Sequence, residues 1–544
     1  MKSLISLILI SFIGLNPYSS QVLEKHIWDQ QGLSEDYHGH IEDRSDGPYK
    51  KIQLLGINDF HGQLNVTRQI NGRPAGRADY LAAYLRHRAA ENENTILLHT
   101  GDMIGASPPL SSLLMDEPTI EFLNKMGFDI GTIGNHEFDR GLDELLRLLN
   151  GGSPSVVKNY PGSRFPWIAA NVTSHKSGKH LLPPYKILNV SGVPIGFIGV
   201  IMKQAPSLSA LNSVKGLTFT DEAEAINKYT RELKKQGIRA IVVLAHVPGK
   251  SNQKGELATG QLIELAHQVD DEVDIMFGGH SHAYLNSVVD GKLLVQAYSY
   301  GTAFSDVDIE IDPRTKDIVR KNAEIVNVFQ ENIQPASDIT RMIERYERKV
   351  EPAVNRYIGT AAIPITAARN RSGESALGNL IADSERAAMT TDFAFINPGG
   401  IRADIDAGRI TWGNLYFALP FSNQLVKMHL TGTQIRDVLN QQWQPNITRI
   451  LQISGLTYTW DDRRPIGEKV KDIYLMDGIK LEPDKTYSVT VNTYLANGGD
   501  NFTVFLNGIN RVTGPNDIDA LERYIQQLPQ SFSYAIDGRI KRVN

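Results

Sequence analysis

Short apolar runs that break into polar tips recur through the first half of the chain. Residues 52–57, 95–98, 130–133, 240–244 and 273–277 have the near-continuous hydrophobicity of strands buried on both faces. They lead into Asp59-Phe60-His61, Gly101-Asp102, Gly134-Asn135-His136-Glu137-Phe138-Asp139, His246 and Gly279-His280-Ser281-His282. Ligands of open α/β sheets bind beyond the carboxyl ends of the strands, so these tips are expected to converge on one place. Farther on the spacing becomes helical. Ser337-Asp338 reads as a helix start, Ile339, Met342, Ile343, Tyr346 and Val350 follow on one face, and Pro352 with the run to Tyr357 should end it. In the second half, Phe393–Ile396 is an apolar run followed by Asn397-Pro398-Gly399-Gly400-Ile401-Arg402, a Gly-rich turn that presents an arginine at a strand end.

Imidazole nitrogens with carboxylate and amide oxygens, and no thiolate, form a donor set for zinc, manganese, iron, cobalt or nickel. Two such ions about 3.5–4 Å apart share a carboxylate, activate a water and clamp the attacking and leaving oxygens of a phosphoryl group. Asp102, the only carboxylate in its block, is the natural bridge. Taken singly, each block has a plainer reading: Asp-Phe-His and Gly-Asp as turns, His246 as an ordinary buried histidine. Repetition at successive strand ends is what favours the metal reading.

Together these blocks resemble the secreted 5'-nucleotidase family, whose first half is a calcineurin-like metallophosphoesterase domain and whose second half binds the nucleotide. The resemblance runs from about residue 50 to the end. It implies an α/β protein: an N-terminal four-layer α/β/β/α metallophosphoesterase sandwich over residues 48–334, a linker helix over 335–357, and a C-terminal α+β nucleotide-binding domain over 358–544. It also implies two divalent metal ions, zinc or manganese. Asp59, His61 and His282 would hold one, Asn135, His246 and His280 the other, and Asp102 both. Several relatives carry Gln or Asn where His282 stands.

By the same resemblance His136 and Asp139 are the catalytic pair beside the metals, the carboxylate orienting an imidazole that stabilises phosphoryl charge or assists the leaving oxygen. Glu137, between them, is expected to be structural. Arg371 and Arg402 match arginines on the substrate phosphate, for which a planar guanidinium is well shaped. Asn397 lies in the same turn as Arg402, where Pro398 replaces a glycine of many relatives and removes one N–H donor. Phe421 and Tyr494 match rings that sandwich the base, and Asp500 matches the carboxylate on the ribose hydroxyls. The implied reaction is hydrolysis of nucleoside 5'-monophosphates to nucleoside and phosphate, with ATP and ADP as further substrates. UDP-sugar hydrolysis and 2',3'-cyclic-nucleotide phosphodiesterase activity use the same residues. A noncatalytic nucleotide-binding surface protein is the alternative of another class.

The 544 residues are 41% hydrophobic and 22% charged, a globular composition. A net charge of −5 argues against a polybasic surface, so nucleic acid is not the expected partner. Lys2, the mostly apolar residues 4–15, and Ser19 and Ser20 read as a signal peptide over 1–20. That run is too short to span a bilayer comfortably, and no stable membrane anchor is expected. Residues 21–47, including His38 and His40, read as an irregular extension. The chain has no cysteine, which excludes disulfides and thiolate metal sites. A periplasmic or secreted bacterial protein is the expectation. Nothing in the pattern sets an oligomeric state.

Overall fold

Two six-stranded sheets pack face to face in the first half of the computed structural model, which describes residues 49–157, 159–208, 213–421, 423–445 and 447–544. The expected signal peptide and the extension before residue 48 lie outside the described residues. In the first sheet, Lys50–Ile57 lies between Thr95–His99, to which it is parallel, and Ala303–Ile311, to which it is antiparallel. Ile130–Thr132 and Trp167–Ile168 continue the parallel part. In the second, Ala240–His246 is parallel to both Val193–Ile201 and Ile275–Phe277, and Lys292–Ala297 follows in parallel.

The hydrophobic runs are continuous because both faces of these strands are covered. Leu54, Leu98, Ile130, Val242, Leu244, Ile275 and Phe277 fill the space between the sheets. Their neighbours Leu55, Ile57, Ile241, Val243 and Met276 point the other way into a core shared with the flanking helices. The result is the four-layer α/β/β/α sandwich.

The helix that starts at Ser337 spans Ser337–Val354, and its buried face is Ile339, Met342, Ile343, Tyr346 and Val350. Those side chains belong to the first half's core. The helix is further tied down by Arg86 to Asp338, at 2.7 and 2.9 Å, and by Arg345 to Glu121, at 2.8 Å. Pro352 lies inside it rather than at its end, because a proline in the last turn removes only one backbone hydrogen bond.

The second half is α+β. Its five-stranded sheet runs in the order Gln452–Ser454, Phe393–Ile396, Thr486–Asn492, Gln424–Thr431, Ile509–Asn516. Phe393, Phe395, Val489 and Val491 pack on one face. The helix Ala376–Met389 covers the other with Leu377, Leu380 and Ile381 against Ile396, Leu521 and Ile525. Phe393–Ile396 and Thr486–Asn492 are parallel neighbours, so their carboxyl ends, leading to Asn397 and Tyr494, emerge side by side. The residues from Lys50 to Asn544 form one compact unit, in which the Ser112 and Tyr416 hydroxyls hydrogen-bond across the two halves. Among the described residues no helix is long and apolar enough to cross a membrane.

Candidate active site

The polar tips of the first half converge, and the backbone there is held in an unusual conformation. Asp59, His61, Asp102, His280 and His282 all have positive φ, between 48° and 71°. A non-glycine residue in this region is strained, and clusters of such residues mark functional sites. The turns brace one another: Asp59 N donates to the Gly101 carbonyl at 3.1 Å, His61 N to the Asp102 carbonyl at 2.9 Å, and Tyr300 N to the Asp59 carbonyl at 2.8 Å. Glu137 is the central brace. Its carboxyl accepts the backbone N–H groups of Asp102 at 2.8 Å, Met103 at 2.8 Å and Gly134 at 2.5 Å, which locks two ligand-bearing loops together. Gly134 must be glycine for packing reasons, since a Cβ there would meet Asp102 Oδ1 at 2.2 Å and His246 Cε1 at 2.7 Å.

Two groups of candidate metal donors result: Asp59, His61 and His282, and Asp102, His246 and His280. In each the donor atoms lie within 4.8 Å of one another. Asp102 Oδ2 is 3.2 Å from His246 Nε2 and 3.8 Å from His61 Nε2, so this carboxylate stands between the groups. Asn135 Oδ1 joins the second group, 3.3 Å from His246 Nε2 and 3.0 Å from His280 Nδ1.

The donor chemistry fits divalent ions. A carbonyl can only accept, so His61 Nδ1, 2.9 Å from the Gly105 carbonyl, carries the proton and leaves Nε2 as a lone pair aimed into the cluster. His246 Nδ1 donates likewise to the Thr100 carbonyl at 2.8 Å. Burial depresses the pKa of His61 to about 3 and of His280 to about 4, which keeps both imidazoles neutral. Asp102 is held well below the usual carboxylate range: burial raises it, but His246, His136 and His61 outweigh that. Asp59 is lowered too, its burial offset by His282 and His246. Neutral His61 and His280 beside two buried carboxylates, without a lysine or arginine among them, form a cation site. At His246 burial opposes the cation, but Asp102 and Asp59 outweigh it and lift the pKa to about 10, so its proton must leave before Nε2 can ligate.

His136 opens the short 3-10 helix His136–Phe138, and its Nδ1 faces Asp139 Oδ2 at 2.9 Å. The same oxygen accepts Ala106 N at 3.0 Å, which fixes the carboxylate. Burial opposes the His136 cation, but Asp139 and Asp102 overcome it and lift the pKa to about 9. The ring lies 4.9 Å from that of His61 and stacks at 6.1 Å on Phe421 from the second half.

A cleft of about 280 Å³ joins the halves. Asn135, His136, Asp139 and His280 line one side, and Asn397, Arg402, Phe421, Tyr494 and Asp500 the other. Asp500 is oriented by the Tyr494 hydroxyl at 3.1 Å and by Arg449 Nε at 3.1 Å. Asn397 Oδ1 accepts Asn492 Nδ2 at 3.0 Å, which steadies the strand-end turn.

The structure does not bring Arg371 into the lining of this cleft. It is exposed in a tight turn that Asn370 organises by accepting the N–H groups of Ser372 and Glu374. Three residues of the cleft region have no counterpart in the sequence reading: Asn423, which lines it, Arg449 and Tyr300. Tyr300 follows the strand Lys292–Ala297 and packs against His61 and His282, so it is a further strand-end tip, aromatic rather than ligating.

Comparison with known proteins gives a consistent picture. The family model of calcineurin-like phosphoesterases matches residues 52–284, and that of the 5'-nucleotidase C-terminal domain matches residues 357–507. Endonuclease YhcR of Bacillus subtilis (strain 168) is 44% identical over 500 residues, covering 90% of this chain and 41% of that protein. Cell wall protein Lmo0130 of Listeria monocytogenes is 39% identical over 504 residues, covering 84% of this chain and 64% of that protein. The chain thus spans less than two thirds of the length of these two relatives. The crystal structure of the 5'-nucleotidase precursor from Thermus thermophilus superposes with a TM-score of 0.76 at 28% identity, over 91% of this chain and 100% of that one.

Proposed function

The chain belongs to the 5'-nucleotidase family, with a calcineurin-like phosphoesterase domain followed by a 5'-nucleotidase C-terminal domain, and from that premise we infer that it hydrolyses nucleoside 5'-monophosphates to nucleoside and phosphate. ATP and ADP are further substrates on this reading. The observation that carries it is the shared cleft, in which Phe421, Tyr494 and Asp500 stand on one side and His136 with the candidate metal donors Asn135 and His280 on the other.

Asp59, His61 and His282 would hold one divalent ion, Asn135, His246 and His280 the second, and Asp102, which stands between the two groups, would serve both. Zinc or manganese suits this nitrogen and oxygen donor set. Bound there, the ions supply Lewis-acid activation of a water and of the phosphoryl oxygens. Phe421 and Tyr494 hold the base by stacking, which tolerates any flat base, and Asp500 accepts the ribose hydroxyls. Arg402 neutralises phosphate charge. His136, its Nδ1–H held by Asp139, keeps a second proton on Nε2 for the leaving O5'. Water oxygen bonds to phosphorus as the P–O5' bond breaks, and the nucleoside departs as an alcohol. With a relative named as a cell wall protein, the reading places the enzyme outside the cytoplasm.

The test is phosphate release by the full chain from AMP, GMP, ATP, UDP-glucose and 2',3'-cyclic AMP, after chelation and single-metal add-back. AMP and GMP turnover should vanish with the chelator, return with zinc or manganese, and be abolished by Asp102→Asn. Release from AMP that survives both the chelator and Asp102→Asn unchanged contradicts the assignment.

A further inference from the structure

The loop that carries Asp500 is held in a conformation that it would not keep by itself. Asp500 and Asn501 are consecutive non-glycine residues in the left-handed region, with φ of 55° and 63°, and Gly498 just before them has φ 82°. Backbone strain of this kind persists only where the surroundings over-determine it. Here the surroundings are a short hairpin. Its strands Trp443–Gln444 and Ile447–Thr448 pair antiparallel, and Arg449 follows directly. Gln444 Nε2 donates to the Asp500 carbonyl at 2.7 Å, and Asn501 Nδ2 donates to Gln444 Oε1 at 3.3 Å. Arg449 Nη1 donates to the same Gln444 oxygen at 3.3 Å, while its Nε forms an ion pair with Asp500 Oδ1 at 3.1 Å. Gln444 thus holds the backbone of the loop, and Arg449 holds the carboxylate itself.

The two oxygens of Asp500 are left unequal. Oδ1 accepts the Tyr494 hydroxyl at 3.1 Å and faces the Arg449 guanidinium. Oδ2 has Asn397 Nδ2 at 3.4 Å, a long contact that leaves it most of its capacity as an acceptor. A carboxylate free to turn about its last side-chain torsion spreads that capacity over many directions, whereas one pinned at Oδ1 presents Oδ2 in a single direction. The ion pair is weakly screened, since the two side chains are only 23% and 13% exposed. Arg449 is not among the residues that line the cleft, so it reaches a bound ligand only through Asp500.

We propose that Arg449 is a positioning residue for sugar recognition: by pinning Asp500 Oδ1 it aims Oδ2 at the ribose hydroxyls, and so sets the preference of the cleft for nucleotides with a 2',3'-diol over those without one. The proposal rests on the reading of Asp500 as the ribose-binding carboxylate. Removing Arg449 leaves the base rings, the phosphate contacts and the metal donors in place. Its loss therefore weakens the substrates that use the hydroxyls and spares those that do not.

The experiment compares kcat and KM for AMP and for 2',3'-dideoxy-AMP, which has the same base and phosphate but no sugar hydroxyl. It uses the metal-loaded full chain, Arg449→Gln, Arg449→Lys, Asp500→Asn and the double variant. Wild-type protein should favour AMP. Arg449→Gln should lower the ratio of kcat/KM for AMP to that for the dideoxynucleotide by about fivefold or more, through KM rather than kcat. Arg449→Lys keeps the charge without the planar guanidinium and should fall between Arg449→Gln and wild type. Asp500→Asn should lower the ratio at least as far, and adding Arg449→Gln to it should lower it no further, because two residues that act through one contact are not additive. Arg449→Met, which keeps the aliphatic stem, carries the same expectation where glutamine is not tolerated. A ratio within about twofold of wild type in Arg449→Gln, while Asp500→Asn collapses it, overturns the proposal and leaves the ribose reading standing. An equal loss for both nucleotides also overturns it, since a residue that only supports the fold would give that result. A ratio unmoved by Asp500→Asn would remove the ribose role of Asp500 and the proposal with it, while turnover of AMP would still uphold the monophosphate reading.

Discussion

Replacing Glu385 by glutamine is expected to stabilise the protein, and to do so increasingly as pH rises. Glu385 lies on the helix Ala376–Met389 with 0% exposure, and among the described residues neither carboxyl oxygen has a hydrogen-bond partner. Burial, reinforced by the nearby Asp517, holds its pKa well above the ordinary value. Asp517 is itself pushed up to about 7, again mainly by burial. The folded protein therefore keeps a proton on Glu385 at pH values where the unfolded chain, titrating at about 4.3, has released it. A group raised in this way contributes its full stability below the unfolded pKa and loses it as pH rises toward the folded one. While the folded group stays protonated, the loss is about 1.4 kcal/mol per pH unit. Set against a typical stability of about 5–15 kcal/mol, each pH unit over which the folded group alone holds its proton is a sizeable share. Glutamine has nearly the same shape and nothing to ionise. Equilibrium urea unfolding at pH 5, 6 and 7 should show the gap between Glu385→Gln and wild type widening as pH rises, by up to about 1.4 kcal/mol per pH unit. Parallel pH profiles for the two proteins would refute the reasoning, since they would mean that the folded state solvates or ionises Glu385 as readily as the unfolded chain does.

Phe421→Ala should raise KM for AMP, GMP and UMP alike by about tenfold or more, the loss of one stacked ring, while a change restricted to one base would show that the clamp reads base edges rather than base faces. Gly134→Ala should lower the metal content of dialysed protein, with affinity falling by about tenfold or more, because the added methyl displaces Asp102 and His246. Elemental analysis showing wild-type metal content in that variant would count against the placement of those two side chains.

The sequence by itself determined the chemistry carried at the strand ends. Strand position and polar tip are both short-range properties, so Asp59, His61, Asp102, Asn135, His246, His280 and His282 could be read as one group, and the structure brings them together. The helix from Ser337 was legible for the same reason, through the spacing of Ile339 to Val350. Arg371 shows where local likeness stops: an arginine in a motif-like stretch has the right chemistry, but the turn built on Asn370 holds it outside the cleft.

Tertiary structure alone decided the rest. The left-handed backbone at five of the candidate ligands is imposed by turns that brace one another across more than two hundred residues, as when Tyr300 N bonds the Asp59 carbonyl. The three donors that converge on Glu137 likewise come from two separate loops. Gln444 and Arg449 are ordinary in sequence and acquire meaning only where they meet the loop of Asp500. Glu385 looks like a surface residue of a helix until packing removes its water. Burial, strain and the meeting of like charges are properties of distance in space, and a linear pattern records only distance along the chain.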